Sequence, residues 1–192
     1  MINRWPALAM IALAVASSAA PAGAASAAAP SAIPAPTVAE LPEILVAISA
    51  AARAPGARAV LVNVWATWCD PCRQEMPDVI RFYRDHRDDG LRLILVSADD
   101  EEDRAEVARV LTGAGLPADT LSFIKRGDDM KFINGLDRHW SGALPASFLF
   151  DGRGRRRHTW AGPVTTHSLA LATGSLLAAP VTAETKRKRR RP

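Results

Sequence analysis

The stretch that decides the fold reads AVLVNVWATWCDPCRQEMP and runs from residue 59 to residue 77. Its first seven residues are almost continuously apolar and rich in β-branched side chains, which is typical of a strand buried on both faces of a parallel sheet. Cys69 and Cys72, the two cysteines of the chain, follow directly. Pro71 between them suits a first helical turn, because its missing N–H needs no partner there. The stretch therefore predicts a strand, a turn and a helix, with both thiols where the helix begins.

The residues after the cysteines predict how that helix packs and which elements come next. Apolar side chains recur at helical spacing and predict a buried stripe on the helix, formed by Met76, Val79, Ile80 and Tyr83. Pro77 interrupts the hydrogen-bond ladder and predicts a kink. A second apolar strand, LRLILVS at 91–97, leads into a helix within 99–115 that begins with acidic residues. This order of elements predicts a right-handed parallel crossover.

The remaining segments add smaller elements. Residues 38–56 begin with apolar spacing that predicts a short helix, which Pro55 and Gly56 would stop. Residues 146–162, ASFLFDGRGRRRHTWAG, predict a β-hairpin, and a last helix is expected over 166–177. Between 116 and 140 we predict only a short helix, near 129–136. The predicted fold class is α/β, with a central mixed sheet flanked by helices in a single domain.

The N-terminal composition is typical of an export signal. A positive start ending at Arg4 precedes an apolar run at 7–16 and several small-residue cleavage sites, which is the layout of a signal peptide. We assign 1–24 to the signal peptide and 25–37 to a flexible linker. The alternative is an uncleaved N-terminal segment that tethers the protein. No cysteine directly follows the apolar run, so a lipidated start is excluded.

The C-terminal end carries six consecutive cations at 186–191, which exceed the formal net charge of +4. The rest of the chain is therefore net negative, and the high pI belongs to the tail. A nucleic-acid patch is conceivable for such a run, but an exported protein rarely meets nucleic acid. We predict a solvated, disordered tail at 181–192 and no nucleic-acid partner. Weak contact with anionic membrane surfaces is the second reading.

The cysteine pair admits three kinds of chemistry. A zinc site needs four ligands, and this pair supplies two. A structural disulfide between such close positions would restrict the unfolded chain little. The four histidines show no metal-ligand spacing and are expected at the surface: His86, His139, His158 and His167.

Redox chemistry suits the position of the pair. Cys69 lies near the helix N-terminus, where backbone N–H groups and the helix dipole stabilise a thiolate. Cys72 lies one turn further in and should be less exposed. Cys69 would therefore react first and Cys72 would resolve the mixed disulfide. A CxxC motif beside a βαβ pattern is a redox signature.

The segments 60–77 and 142–155, VLVNVWATWCDPCRQEMP and GALPASFLFDGRGR, resemble a known family. This is the TlpA/ResA-like family of thioredoxin-fold, envelope-facing thiol-disulfide oxidoreductases. The resemblance implies a thioredoxin-like domain over 38–180, and a redox-active Cys69–Cys72 disulfide with no other cofactor and no metal. It also implies a cis bond between Leu144 and Pro145, facing the cysteines.

The resemblance gives further residues a role. With Leu144 and Pro145, Trp68 is expected to contact substrate, although simple packing explains Trp68 equally well. Glu75 resembles an acidic residue associated with proton handling, whereas a solvated helix carboxylate is the alternative. Asn63 stands where thioredoxins carry a buried aspartate and cannot titrate, which leaves Glu75 as the substitute.

The family implies an exported, periplasmic enzyme. Its substrates would be disulfide-containing envelope proteins, of the cytochrome c maturation or copper-site assembly type, and a membrane thiol relay would donate electrons. A copper-delivery protein that uses the dithiol as soft ligands is the alternative. A thiol peroxidase ranks last, because such enzymes carry a threonine three residues before the reactive cysteine, where this chain has Ala66.

The acidic residues near the pair predict the direction of electron flow. Asp70 and Glu75 place negative charge near a developing thiolate and oppose the helix N-terminus, while Arg73 offsets part of that effect. A less stabilised thiolate favours the disulfide form. We therefore predict a protein that reduces its clients, which is also the direction the resemblance implies.

Overall fold

The computed structural model describes residues 33–178. Five helices, with a short 3-10 turn at Glu101–Asp103, and six strands make up this part of the chain. The strands are β1 (Thr37–Glu40), β2 (Ala59–Trp65), β3 (Leu91–Ser97), β4 (Leu121–Arg126), β5 (Ala146–Asp151) and β6 (Arg156–Ala161). The helices are α1 (Leu41–Arg53), α2 (Asp70–His86), α3 (Arg104–Gly113), α4 (Asp129–Leu136) and α5 (Thr166–Leu177).

The six strands form one mixed sheet in the order β1-β4-β3-β2-β5-β6. The strands β1, β4, β3 and β2 run parallel to one another. Strand β5 pairs antiparallel with β2, and β6 pairs antiparallel with β5. The predicted parallel β2–α2–β3 unit is confirmed, and it pairs Trp65 with Ser97 at the ends of the two strands. The carboxyl ends of β2 and β3 therefore meet at one edge of the sheet, beside the cysteines.

Helices cover both faces of the sheet, as predicted. Because side chains alternate along a strand, Leu61 and Trp65 of β2 join one buried cluster with α2, α3 and α5. Val62 and Val64 join a second cluster with α1 and α4 on the other face. All seven residues of β2 are buried, which explains its continuous apolar sequence.

Helix α2 has the predicted start and the predicted buried face. Cys69 is its N-cap, and Pro71 lies in the first turn, where no helical N–H bond is lost. The stripe Met76, Val79, Ile80 and Tyr83 is buried. The helix continues past Pro77, and the kink there stays a prediction.

Two strands were missed from the sequence. Residues 38–40, read as the start of a helix, belong to β1, and the helix begins only at Leu41. Strand β4 lies in the stretch 116–140, for which the sequence pattern predicts only a helix. That helix, α4, and the final helix α5 lie at their predicted residues, 129–136 and 166–177. The predicted hairpin is β5–β6, in the antiparallel pairing.

Several predictions concern residues beyond this description. The signal peptide at 1–24, the linker as far as residue 32 and the basic tail at 181–192 lie outside the described residues. The domain boundaries at 38 and 180 stay predictions. Within 33–178, no helix has the length and apolarity needed to span a bilayer.

Candidate dithiol active site

Cys69 and Cys72 form a disulfide at the start of α2. The S–S distance is 1.98 Å and the Cα atoms lie 5.3 Å apart. The Cys72 backbone N–H also points at Cys69 Sγ, with N and S 3.3 Å apart. Cys69 retains 6% of its exposure and Cys72 retains none. Cys69 is therefore more exposed than Cys72, as predicted, although its exposed fraction in the disulfide form is smaller than we expected.

Helix α2 gives the pair its electrostatic setting. As the N-cap, Cys69 lies at the positive end of the helix dipole, where a thiolate is favoured. The Asp70 side chain is 81% exposed and lies 3.7 Å from the Arg73 guanidinium. Solvent and this cation screen its charge, so Asp70 opposes the thiolate less than the sequence suggested.

Glu75, one turn after Cys72, is buried and retains 5% of its exposure. Its Oε1 accepts a hydrogen bond from Asn63 Nδ2 at 2.8 Å, and its Oε2 accepts one from the Val164 backbone N–H at 2.7 Å. Burial raises the pKa of Glu75 above its ordinary value, and the bonds from Val164 and Asn63 counter only part of that effect. The alternative of a solvated helix carboxylate is therefore wrong.

Asn63 connects Glu75 to the sheet. It is fully buried on β2, and its Nδ2 also lies 3.0 Å from Ser147 Oγ on β5. Asn63 Oδ1 has no hydrogen-bond partner among the described residues. The roles of Ser147 and Val164 were missed. The predicted hairpin pairs β5 with β6, whereas Ser147 lies opposite Asn63 through the pairing of β5 with β2, which the sequence does not indicate. Nothing in the sequence marks the Val164 N–H.

The loop before β5 has the predicted backbone. The peptide bond between Leu144 and Pro145 is cis, as predicted. Leu144 packs against the buried cluster that contains Cys69 and Cys72. The Pro145 carbonyl accepts a hydrogen bond from the Gly162 N–H at 2.9 Å, which ties the loop to the end of β6. Because β5 begins with Ala146 opposite Val64 of β2, the loop lies at the end of the sheet where the cysteine segment begins.

The two tryptophans of the cysteine segment have opposite environments. Trp65 is fully buried, whereas Trp68, directly before Cys69, is 67% exposed. Packing into the core therefore explains Trp65 and does not explain Trp68. An exposed aromatic ring beside the disulfide offers apolar area to a docking protein.

A buried carboxylate that the sequence did not suggest lies behind the cysteine turn. Asp99 is 2% exposed and accepts hydrogen bonds from the Thr67 backbone N–H at 3.0 and 3.1 Å. The hydroxyls of Thr67 and Ser97 also donate to it. The parallel order of β2 and β3 could have indicated this contact, since residues that follow neighbouring parallel strands meet at one edge.

The histidines give no support to a metal site in the described residues. Within 33–178, no group of three or more histidine, cysteine, aspartate or glutamate side chains could hold a metal ion. His139, His158 and His167 are exposed, as predicted, and His86 is partly exposed.

Comparison with known proteins identifies the family. Residues 36–159, more than half of the chain, match the model of the AhpC/TSA family. The chain belongs to that family. Curated relatives of this AhpC/TSA family member include the sporulation thiol-disulfide oxidoreductase A of Bacillus subtilis, 27% identical over 109 residues that cover 57% of this chain and 62% of the relative. Another is the thiol:disulfide interchange protein HelX of Rhodobacter capsulatus, 35% identical over 118 residues that cover 62% of this chain and 60% of the relative.

The chain spans about 60% of the length of these two relatives. Their names agree with the predicted resemblance, which is confirmed. Among solved structures, a thioredoxin-related protein from Neisseria meningitidis serogroup B is similar, with a TM-score of 0.54 and 24% identity over 64% of this chain and 87% of that one. This similarity confirms the thioredoxin-like fold of our AhpC/TSA family member.

Proposed function

We propose that this protein is an exported thiol-disulfide oxidoreductase that reduces disulfides in envelope proteins through Cys69 and Cys72. The observation that carries the proposal is the disulfide at the N-terminus of α2, in which Cys72 is fully covered and Cys69 keeps a small exposed area. The relatives named for thiol-disulfide oxidoreduction and interchange support the same chemistry. The disulfide itself is the redox group, and no other cofactor is required.

The reaction starts from the dithiol form. The Cys69 thiolate attacks one sulfur of the client disulfide, and the other client sulfur leaves as a thiolate. Cys72 then loses its proton and attacks the Cys69 sulfur of the mixed disulfide. The second client thiolate leaves, the Cys69–Cys72 disulfide forms, and two electrons have passed to the client. A membrane thiol relay restores the dithiol by the same exchange in reverse.

Glu75 is suited to take the proton from Cys72. The two residues are three apart on α2 and so lie on the same side of the helix. Asn63 and Val164 hold its two oxygens in place. A general base works best when its pKa lies near the working pH, and burial shifts the pKa of Glu75 upward in that direction.

The client would dock on Trp68 and on the loop of Leu144 and Pro145. Trp68 offers an exposed aromatic ring next to Cys69, and Leu144 packs against the cluster that holds the disulfide. Clients of the cytochrome c maturation or copper-site assembly type fit the family resemblance. The periplasm is the compartment in which such clients occur.

The test is a trapping experiment with single cysteine variants in cells. Cys72→Ala should accumulate mixed disulfides through Cys69, because the resolving thiol is missing. Cys69→Ala should trap almost nothing, because Cys72 has no exposed surface. Both variants are compared by non-reducing gels and mass spectrometry of captured proteins. Equal capture by the two variants would refute the assignment of roles.

A further inference from the structure

Asp99 is the buried carboxylate that touches the turn before Cys69. Its three hydrogen-bond donors are uncharged: the Thr67 backbone N–H and the hydroxyls of Thr67 and Ser97. Ser97 Oγ in turn accepts the backbone N–H of Asp99 at 2.9 Å, which leaves its own proton for the carboxylate. Asp99 is therefore a buried carboxyl group whose hydrogen-bond partners are all uncharged.

This contact joins the ends of two parallel strands. The Ala98 N–H donates to the Trp65 carbonyl at 2.8 Å, so the ladder between β2 and β3 continues one residue past the strand. Asp99 then crosses to Thr67. Cys69 follows two residues later, which places its Cα within about 7 Å of the Thr67 Cα by the reach of the chain. The carboxylate thus fixes the turn that carries Trp68 and Cys69.

A buried negative charge at this place has an electrostatic consequence. Burying a carboxylate without a cation among its donors is unfavourable, so its presence calls for an explanation beyond turn geometry. The carboxyl group binds Thr67, two residues before Cys69, the N-cap of α2. At that N-cap the helix dipole favours a thiolate on Cys69. Like charges at short range in a partly dry site disfavour each other.

We propose that Asp99 is a positioning residue that fixes the turn before Cys69 and keeps a negative charge beside it, which makes the Cys69 thiolate less favourable and the disulfide harder to reduce. This inference rests on the proposed function. It assigns to Asp99 the charge effect that Asp70, exposed and paired with Arg73, supplies only weakly.

Exchange with glutathione measures this effect. Two glutathione thiols give two electrons and two protons to the Cys69–Cys72 disulfide, so that glutathione disulfide and two cysteine thiols form. A charge beside Cys69 acts on the thiolate and leaves the neutral thiol and the disulfide nearly unaffected. Its influence on the equilibrium is therefore small below the Cys69 pKa and complete above it.

The deciding variant is Asp99→Asn, which keeps the shape and an acceptor for Thr67 and removes the charge. The Cys69 pKa, measured by thiolate absorbance, should fall by about one unit, a tenfold change in the thiolate ratio. The exchange constant, relative to wild type, should stay near one at low pH and favour the dithiol about tenfold at a pH above both thiol pKa values. Asp99→Ser removes the charge too and serves if the amide variant does not fold.

Asp151 provides the matched control. It is also buried and also accepts turn N–H groups, those of Arg153 and Arg155, at the other end of β2. Asp151→Asn should leave the Cys69 pKa unchanged, since about 20 Å of strand separates the two ends. Ser97→Ala removes a neutral donor and keeps the Asp99 charge. It should not give the pH-dependent shift of the exchange constant toward the dithiol.

Two results would overturn the inference: an unchanged Cys69 pKa in both charge-removing variants, or a change in exchange that is the same at all pH values. The second would mean that Asp99 only stabilises the turn. If the wild-type pair does not exchange with glutathione at all, the proposed function itself fails, so the two failures are separable.

Discussion

Glu75 combines a buried carboxyl group with two hydrogen-bond donors fixed by the fold. Asn63 comes from the central strand, and the Val164 N–H comes from the turn before α5. Neither donor is charged, so burial remains the larger influence and the pKa of Glu75 lies above its ordinary value. This raised pKa is what the proposed proton transfer from Cys72 requires of Glu75.

Replacing Glu75 with glutamine should change how stability depends on pH. A raised folded pKa means that the folded state binds this proton more tightly than the unfolded state does. The resulting stabilisation is present below the unfolded pKa and is lost as the pH rises through the folded pKa. Glu75→Gln should remove that loss, which urea denaturation at a series of pH values would measure.

Exposed Glu102 supplies the control, since Glu102→Gln should leave the pH dependence of stability unchanged.

Glu75→Gln should also slow the reduction of a model disulfide substrate, while alkylation of Cys69 proceeds at the wild-type rate. An undiminished reduction rate would remove Glu75 from the proton path.

The residue-level site was only partly predictable. Cys69, Cys72 and the Leu144–Pro145 bond were found because a short motif or a family segment contains them. Asp99 and Ser147 were missed because Thr67 and Asn63, their respective partners near the cysteines, lie far away in the chain. Hydrogen bonds between distant residues leave no local pattern. Burial decided the reading of Glu75, and burial of a single polar residue on a helix is not visible in the sequence.

Among the elements, the start of α5 depends on a reciprocal pair of hydrogen bonds. Thr165 Oγ1 accepts the Ser168 N–H at 3.1 Å, and Ser168 Oγ accepts the Thr165 N–H at 3.0 Å. Thr165→Ala should lower the free energy of unfolding by about 1 kcal/mol, the usual effect of losing an N-cap. Thr166→Ala, at the next position, leaves this pair intact and should change stability much less. Chemical denaturation of both variants tests the difference.

The accuracy of the element predictions follows burial. Strands β2 and β3 were placed to the residue because a long, β-branched apolar run is typical of a strand in the middle of a sheet. Strand β4 was missed because only Ile124 is fully buried in it, so its sequence lacks a clear period. Strand β1 has four residues and pairs with β4 some 86 positions later, from Thr37 to Phe123. Such pairing is chosen by tertiary contacts rather than by local preference.

At the scale of the molecule, the sheet separates two apolar clusters. Ile80 of α2 lies in one and Ile44 of α1 lies in the other, both nearly without exposure. Ile80→Val and Ile44→Val should each destabilise the protein by about 0.5–1.5 kcal/mol. The double variant should lose the sum within about 0.5 kcal/mol, because the two residues lie in separate clusters on opposite faces of the sheet. A larger deviation in urea denaturation would mean that the sheet transmits strain between its faces.

The two outer strands of the sheet, β1 and β6, bear on aggregation. An open edge offers unpaired backbone groups to any other extended chain, and proteins protect such edges with short strands and charged side chains. Strand β1 is four residues long and ends at Glu40, and β6 begins with exposed Arg156 and Arg157. Both features disfavour the addition of a further strand. Both edge strands of this sheet therefore carry features that disfavour edge-to-edge assembly into fibrils.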